Sequence, residues 1–270
     1  MTARAPAARR FIKPYSQPAA CHTAAANYHW LASLGSILRL PRLLASGPCQ
    51  LAFEYVHGRP AAPGDLVSLA AHLGDLHGIA HVKALHRARL DTLYVTETGH
   101  PIPDFLTPRL RVLRQRLTDH VVPEPQLDLQ PAIRLLEQAT AGPAAIYKDA
   151  NPRNFLLTSH GPVMVDVDDL TLAPLGYDLA KLVVTLAMTH GPIPRDDIHR
   201  ALGAYNRVVR RHDHGLGLVT WTWLLAWAEI HHILTSPYLG RHGYRYGWHT
   251  LRPAILTSAD RLPEETLQWP

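Results

Sequence analysis

The sequence predicts an α+β fold in two unequal parts, on three observations. Apolar residues recur at helical spacing over most of residues 58–270. Between residues 144 and 168 that period gives way to short β-type runs with polar loops between them. Residues 1–57 hold a separate small set: a strand, a helix and a second strand ending at a turn signal. Strands gathered apart from helices, rather than alternating with them, are the α+β pattern.

In chain order, residues 10–13 predict one short strand. Residues 23–34 are rich in alanine at helical spacing and stop at Gly35, a natural helix end. Residues 49–56 (CQLAFEYV) alternate weakly, and His57-Gly58 then marks a turn. Pro63-Gly64-Asp65 opens a strongly periodic helix reaching about His77, with Leu66, Leu69, Ala70, Leu73 and Leu76 on one face. Further helices are predicted over 108–116 and 127–138. Residues 144–147, 155–157 and 162–167 predict three short strands. Helical spacing returns over 177–188, 196–211 and 216–234, before an arginine- and tryptophan-rich segment that runs to Pro270.

Composition narrows the class. The 270 residues are 47% hydrophobic and 18% charged, which is a folded profile and not a disordered one. No apolar run reaches the roughly 18 residues of a membrane span. The richest window, 216–234, is interrupted by Thr220, Thr222, Glu229, His231 and His232. The start, MTARAPAARR, lacks the apolar segment of a secretory signal. Two cysteines, Cys21 and Cys49, supply neither a disulfide framework nor a zinc ribbon. A reducing cytoplasm is the expected location. The net charge of +5 is uneven: no Asp or Glu occurs before Glu54, whereas Arg4, Arg9, Arg10, Lys13, Arg39 and Arg42 do. An arginine-rich, lysine-poor composition fits a GC-rich genome, and a basic N-terminal part also fits a phosphorylated or acidic ligand.

The chemistry lies in residues 147–182. They read YKDANPRNFLL, then VMVDVDD from 163, then GYDLAKL from 176. Asp149 and Asn154 are five apart, the D-x-x-x-x-N spacing of a phosphoryl-transfer loop. In such a loop the Asp accepts the proton of an attacking hydroxyl, and the Asn reaches a magnesium ion on the nucleotide phosphates. Asp166 follows a β-type run, where a second magnesium-binding carboxylate belongs. Either half alone is a common pattern; the ordered set of strand, Asp149, Asn154, two strands and Asp166 is not.

These residues resemble the aminoglycoside phosphotransferase and choline kinase-like family, which has the protein kinase-like two-lobe fold. The family's loop reads H-G-D-x-H-x-x-N. Here Tyr147 and Lys148 stand for His-Gly, Asn151 for the second His, and Asp149 and Asn154 match. VDVDD is similar to the family's metal-binding run, with Asp166 at the metal position. PLGYDLA (174–180) is similar to its following helix, with Asp178 as the structural carboxylate tying that helix to the loop. LAFEYVHGR (51–59) resembles the hinge strand, which implies adenine contacts at Glu54, Tyr55 and Val56. RFIKPY (10–15) resembles the strand bearing the phosphate-contacting lysine, here Lys13. The resemblance spans roughly residues 11–190. It implies a reduced N-terminal lobe (1–57), a helical C-terminal lobe (58–270), and ATP and Mg²⁺ as cofactors.

This chain also departs from the family. Only twelve residues precede Lys13, and no glycine-rich loop is among them. The place of the family's helix glutamate falls near Ala24, so Lys13 is expected to face no anion until a nucleotide arrives. N-terminal arginines or a partner protein completing the lobe are the expected source of the missing phosphate contacts.

The function expected is therefore transfer of the ATP γ-phosphate to a hydroxyl. The acceptor is a small molecule, such as an antibiotic or metabolite, or a peptide Ser/Thr in a natural-product pathway. The alternative is a pseudokinase or scaffold subunit that binds a partner without transfer. Neither nucleic acid nor membrane is an expected partner. Among other signals, His212-Asp-His214 and His231-His232 lack zinc-site spacing and are expected at the surface or at helix ends. Trp221, Trp223 and Trp227 are expected in the core, and 241–252 as a packed C-terminal segment rather than a base-stacking surface.

Overall fold

The computed structural model describes residues 9–35 and 38–253. The small N-terminal part contains β1 (Arg10–Pro14), α1 (Pro18–Ser33), β2 (Leu43–Gly47) and β3 (Gln50–Glu54). Its antiparallel sheet has the order β1-β3-β2, with Lys13 opposite Leu51 and Phe11 opposite Phe53. The second strand was not foreseen, because LLASG has too little alternation to distinguish it from a loop. Helix α1 begins five residues before the expected start, at Pro18, whose fixed φ suits a first helical position. This helix serves two cores. Cys21 and Ala24 pack with Leu51 beneath the sheet, while Tyr28, Leu31 and Leu34 join the large core of the rest of the chain.

The larger part starts with β4 (Arg59–Pro60), a 3-10 turn at Pro63–Asp65 and α2 (Leu66–Ala80). The Asp65 carboxylate accepts the Ala62 N–H at 2.9 Å and pairs with Arg59 at 2.6 Å, which fixes the helix entry. The stripe Leu66, Leu69, Ala70, Leu73 and Leu76 is fully buried, as its period requires. A π-helical turn over His81–Leu85 follows, then the hairpin β5 (Tyr94–Val95) and β6 (Pro101–Ile102), then α3 (Leu106–Thr118) and α4 (Leu129–Ala139). The middle strands are β7 (Ala144–Tyr147), β8 (Phe155–Thr158), β9 (Gly161–Met164) and β10 (Thr171–Pro174). Strand β7 pairs with β10, and β8 lies between β4 and β9. Helices α5 (Tyr177–His190), α6 (Arg195–His212), α7 (Trp221–Thr235) and α8 (Trp248–Leu251) complete the described chain.

Three expectations are corrected. The strand expected over 162–167 ends at Met164, because Asp166 turns to φ +59° and leaves the ladder. The helix expected from 216 begins at Trp221, where the Thr220 hydroxyl accepts the Trp223 N–H at 3.2 Å. His231 and His232 are buried, not superficial. Their Nε2 atoms meet the carbonyls of Tyr177 (2.9 Å) and Pro123 (2.7 Å), and burial lowers both pKa values. Of the tryptophans, Trp223 and Trp227 are core, whereas Trp221 is part-exposed and stacks on His199 at 3.8 Å. The segment after α7, expected to be packed, is anchored at a few residues up to residue 253, while Arg241, His242, Arg245 and Tyr246 are exposed. Tyr244 and Trp248 are buried, and the Glu229 carboxylate accepts from Trp248 Nε1 (2.9 Å) and from Arg252 (2.8 Å to each oxygen). The rest of the expected arginine- and tryptophan-rich segment lies outside the described residues.

Helices α2 and α6 cross closely at Gly74, where an added Cβ would sit 2.8 Å from the Tyr205 carbonyl oxygen and 3.1 Å from Val208 Cβ. Both obstacles belong to a helix backbone or its root, so neither can swing away. Gly74→Ala is expected to lower stability by about 1–3 kcal/mol, read as an earlier urea midpoint at unchanged slope.

Candidate active site

A cleft of about 580 Å³ lies between the small sheet and the β8–β9 region. Lys13 and the run Glu54, Tyr55 and Val56 line one wall, and Asp149, Asn154 and Asp166 line the other. Seven of the eight residues singled out from sequence thus share one space. The eighth, Asp178, is fully buried under the loop that carries Asp149.

That loop is built by short-range hydrogen bonds. Strand β7 ends at Tyr147, and Asp149 reverses the chain at φ +59°, a left-handed conformation that Asp tolerates better than most residues. Asn154 then donates from Nδ2 to the Asp149 carbonyl at 2.9 Å, which leaves its amide oxygen available to the cleft. Asp178, at the start of α5, accepts the Lys148 N–H at 2.9 Å and the Ala150 N–H at 2.7 Å, so its two oxygens bracket Asp149. Burial raises the Asp178 pKa to about 6, against the opposing pull of those N–H groups and of Lys148.

The replacement of His-Gly by Tyr147-Lys148 has a structural meaning. The Lys148 side chain is buried. Its Nζ lies 3.4 Å from the Asn154 carbonyl, 3.5 Å from that of Val165 and 4.4 Å from the Phe155 ring centre. It thereby links the loop to the segment holding Asp166, and burial pulls its pKa down. Tyr147 donates its hydroxyl to Asp149 Oδ1 at 2.9 Å, and Lys181 Nζ stands 3.4 Å from the same oxygen. One carboxylate oxygen of Asp149 is thus held, and Oδ2 is left to face a ligand.

Across the cleft Lys13 is not without an anion. Its Nζ lies 2.5 Å from Asp166 Oδ1 and 2.7 Å from Asp168 Oδ2. Burial acts to lower the Lys13 pKa, but the two carboxylates overcome it and the net shift is upward. Asp166, like Asp149, sits at φ +59°, and such strained non-glycine positions concentrate at functional sites. Asp169 adds a third carboxylate, its pKa raised by burial and by Asp168, Asp166 and Asp149. This wall therefore favours cations. Among the described residues no three His, Cys, Asp or Glu side chains converge to enclose a metal. Asn154 and Asp166 offer two hard oxygen donors, which suits an ion that keeps waters and phosphates as its other ligands. Of the described N-terminal arginines none lines the cleft; Arg39 donates to the Gly161 carbonyl (3.2 Å) and Arg42 pairs with Glu54 (3.8 Å). Arg4 lies outside the described residues. The arginine at the cleft is Arg153.

Lys148, Tyr147, Lys181 and Asp168 escaped the sequence reading as site residues. For Asp168 the signal was its place two residues after Asp166 in the same acidic run. For Lys181 there was none beyond its place one turn after Asp178.

Residues 4–212 match a sequence model described as the phosphotransferase enzyme family. The chain belongs to that family. The phosphotransferase also shares its fold with solved structures. One is an aminoglycoside phosphotransferase from Streptomyces rimosus in complex with ADP and streptomycin, at 18% identity and a TM-score of 0.53, covering 82% of this chain and 85% of that one. Another is a macrolide 2'-phosphotransferase from Brachybacterium faecium, at 17% identity and 0.55, covering 96% and 86%. A third is a choline kinase from Cryptosporidium parvum Iowa II, at 15% and 0.52, covering 84% and 76%. No curated protein sequence matches the chain. The phosphotransferase thus has the protein kinase-like fold, with a hydroxyl as the expected kind of acceptor made plain by its family. Among its described residues no helix is long and apolar enough to cross a membrane.

Proposed function

We propose that this phosphotransferase moves the γ-phosphate of ATP to the hydroxyl of a small molecule, in a Mg²⁺-dependent reaction. The observation that carries the reading is the convergence of Lys13, Asp149, Asn154 and Asp166 on one cleft. Asp149 takes the proton of the acceptor hydroxyl through its free oxygen, while Tyr147 and Lys181 fix the other. As the acceptor oxygen bonds to the γ-phosphorus, the bond to the ADP oxygen breaks. Lys13 contacts the nucleotide phosphates. The N–H groups of Glu54 and Tyr55 are taken by the carbonyls of Arg42 (2.9 Å) and Arg9 (3.0 Å), which directs adenine recognition to the Glu54 carbonyl and the Val56 backbone. Asn154 and Asp166 would hold magnesium, which when bound neutralises phosphate charge. Asp178 shapes the loop from beneath. The lobes divide at about residue 57.

Support for a small acceptor comes from structural relatives. The Streptomyces rimosus structure contains streptomycin, and an amicoumacin kinase (10% identity, TM-score 0.56, covering 86% and 75%) is solved with AMP-PNP, Ca²⁺ and Ami. Family membership favours transfer over a scaffold role. The test is ATP binding and slow ATP hydrolysis with and without Mg²⁺. Wild type is expected to do both, and Asp166→Ala to lose at least about 100-fold in hydrolysis. Absence of ATP binding in the wild type would sink the proposal.

A further inference from the structure

Three side chains of the small lobe meet at one residue beyond Asp166. Lys13 Nζ lies 2.7 Å from Asp168 Oδ2, and the Tyr15 hydroxyl donates to Oδ1 at 3.1 Å. Asn27 Nδ2, from α1, donates to the Asp168 carbonyl oxygen. Both carboxylate oxygens and the main-chain carbonyl of Asp168 are thus engaged by β1, the residue after it and α1. On α1 itself, facing the same cleft, stands Ala24, a methyl group with 2% exposure.

We propose that Asp168 is the positioning residue for Lys13, supplying from the C-terminal lobe the anion that α1 lacks. The inference rests on the cleft being the nucleotide site. Asp166 does not fill this role as well. Among the described residues its carboxylate meets Lys13 alone, and its side chain is 51% exposed against 27% for Asp168. A carboxylate with a single partner and open surroundings is free to turn to a metal. One held by an ammonium and a phenol, on a main chain that Asn27 fixes through its carbonyl, is not, because both of those bonds would be given up. Two carboxylates on one lysine therefore divide the work. When Asp166 turns to a cation, Asp168 still holds the ammonium where phosphates arrive. Asp166 and Asp168 lie two residues apart in the segment that follows β9, and both reach Lys13.

The arrangement has a mechanical meaning. A lysine partnered by a helix moves with that helix. Here it is partnered by the segment that carries the metal-binding residue, so Lys13 and Asp166 stay in register with each other.

The test is calorimetric ADP binding to the full chain in EDTA, for wild type, Lys13→Met, Asp168→Asn and the double variant. Asp168→Asn is expected to weaken metal-free ADP binding about tenfold, like Lys13→Met. The double variant is expected to be no more than about twofold weaker than the worse single, the signature of one coupled pair. The Mg²⁺ concentration for half-maximal ATP binding is expected to stay unchanged in Asp168→Asn. Wild-type ADP affinity in Asp168→Asn, multiplying losses in the double variant, or an effect confined to a raised Mg²⁺ requirement would each overturn the inference, the last by making Asp168 a metal ligand. Should Asp168→Asn fail to fold, Tyr15→Phe removes only the donor to Oδ1. It is expected to weaken ADP about threefold, and unchanged affinity would overturn the inference. Failure of wild type to bind ADP would instead strike the function reading. The Lys13–Asp168 coupling would then be measured in urea unfolding, where additive losses overturn the inference and coupled losses support it.

Discussion

Replacing Asp149 by Asn is expected to reduce turnover about 10³-fold while leaving nucleotide affinity within about threefold of wild type. The amide is nearly the same size and keeps an oxygen for Tyr147, whose hydroxyl donates at 2.9 Å. The backbone at φ +59° accepts Asn as readily as Asp. The Asn154 bond to the residue-149 carbonyl is untouched, since it is made to the main chain. What disappears is the ability to take a proton. Steady-state kinetics with a competent acceptor, beside ADP calorimetry, separates the two effects. A fall in affinity as large as the fall in turnover would mean that Asp149 holds the nucleotide and is not the base.

The second large effect is expected from Asp178. Asp178→Ala strands two buried N–H groups, those of Lys148 and Ala150. At about 1–3 kcal/mol for each, the loss is about 2–6 kcal/mol of stability, with turnover falling because the main chain on either side of Asp149 is released. Asp178→Asn keeps one acceptor and is expected to lose about half as much. It also removes a titrating group, and the sign follows from the raised pKa. The folded wild type holds the Asp178 proton below about pH 6, whereas the unfolded chain releases it near the ordinary 3.8. This term favours the folded state at low pH and is lost as pH rises through 6. Wild type should therefore exceed Asp178→Asn by about 1 kcal/mol more at pH 5 than at pH 7. Urea denaturation at the two pH values reads this directly, and an equal gap at both would show that Asp178 does not titrate there.

The long helices were legible because each buries a stripe that the sequence displays, as Leu66 to Leu76 do in α2. Strand β7 was legible to the residue, since an apolar run bounded by Pro143 and a polar loop leaves little choice. Strands β2, β4, β5, β6 and β10 were not, because two to five residues carry too little pattern and owe their conformation to a partner across the ladder. At the site, residues whose chemistry requires a fixed spacing were found: Asp149, Asn154, Asp166 and Asp178. Residues that act by meeting across distance were not. Lys148 looked like a loss of glycine and is a buried strut, and Asp168, given no role of its own within VDVDD, is Lys13's partner. His231 and His232 misled for the reverse reason, since a histidine pair on an apolar helix becomes neutral and bonds to carbonyls when buried.

Helix α1, which packs one end under the small sheet and the other into the large core, also limits how the cleft can open. Leu31 and Leu34 anchor its far end in the bulk of the molecule, whereas the sheet rests on the smaller cluster of Cys21, Ala24 and Leu51, with Tyr15, Ala25, Leu43 and Phe53 beside them. The sheet thus depends on a small core and on the bonds of Lys13 and Tyr15 to Asp168. Access for a nucleotide is therefore expected to come from breathing of strands β1 and β3 over a stationary helix, and not from a hinge that swings the whole lobe. Amide hydrogen exchange would register this as fast exchange along both strands beside slow exchange in the second half of α1.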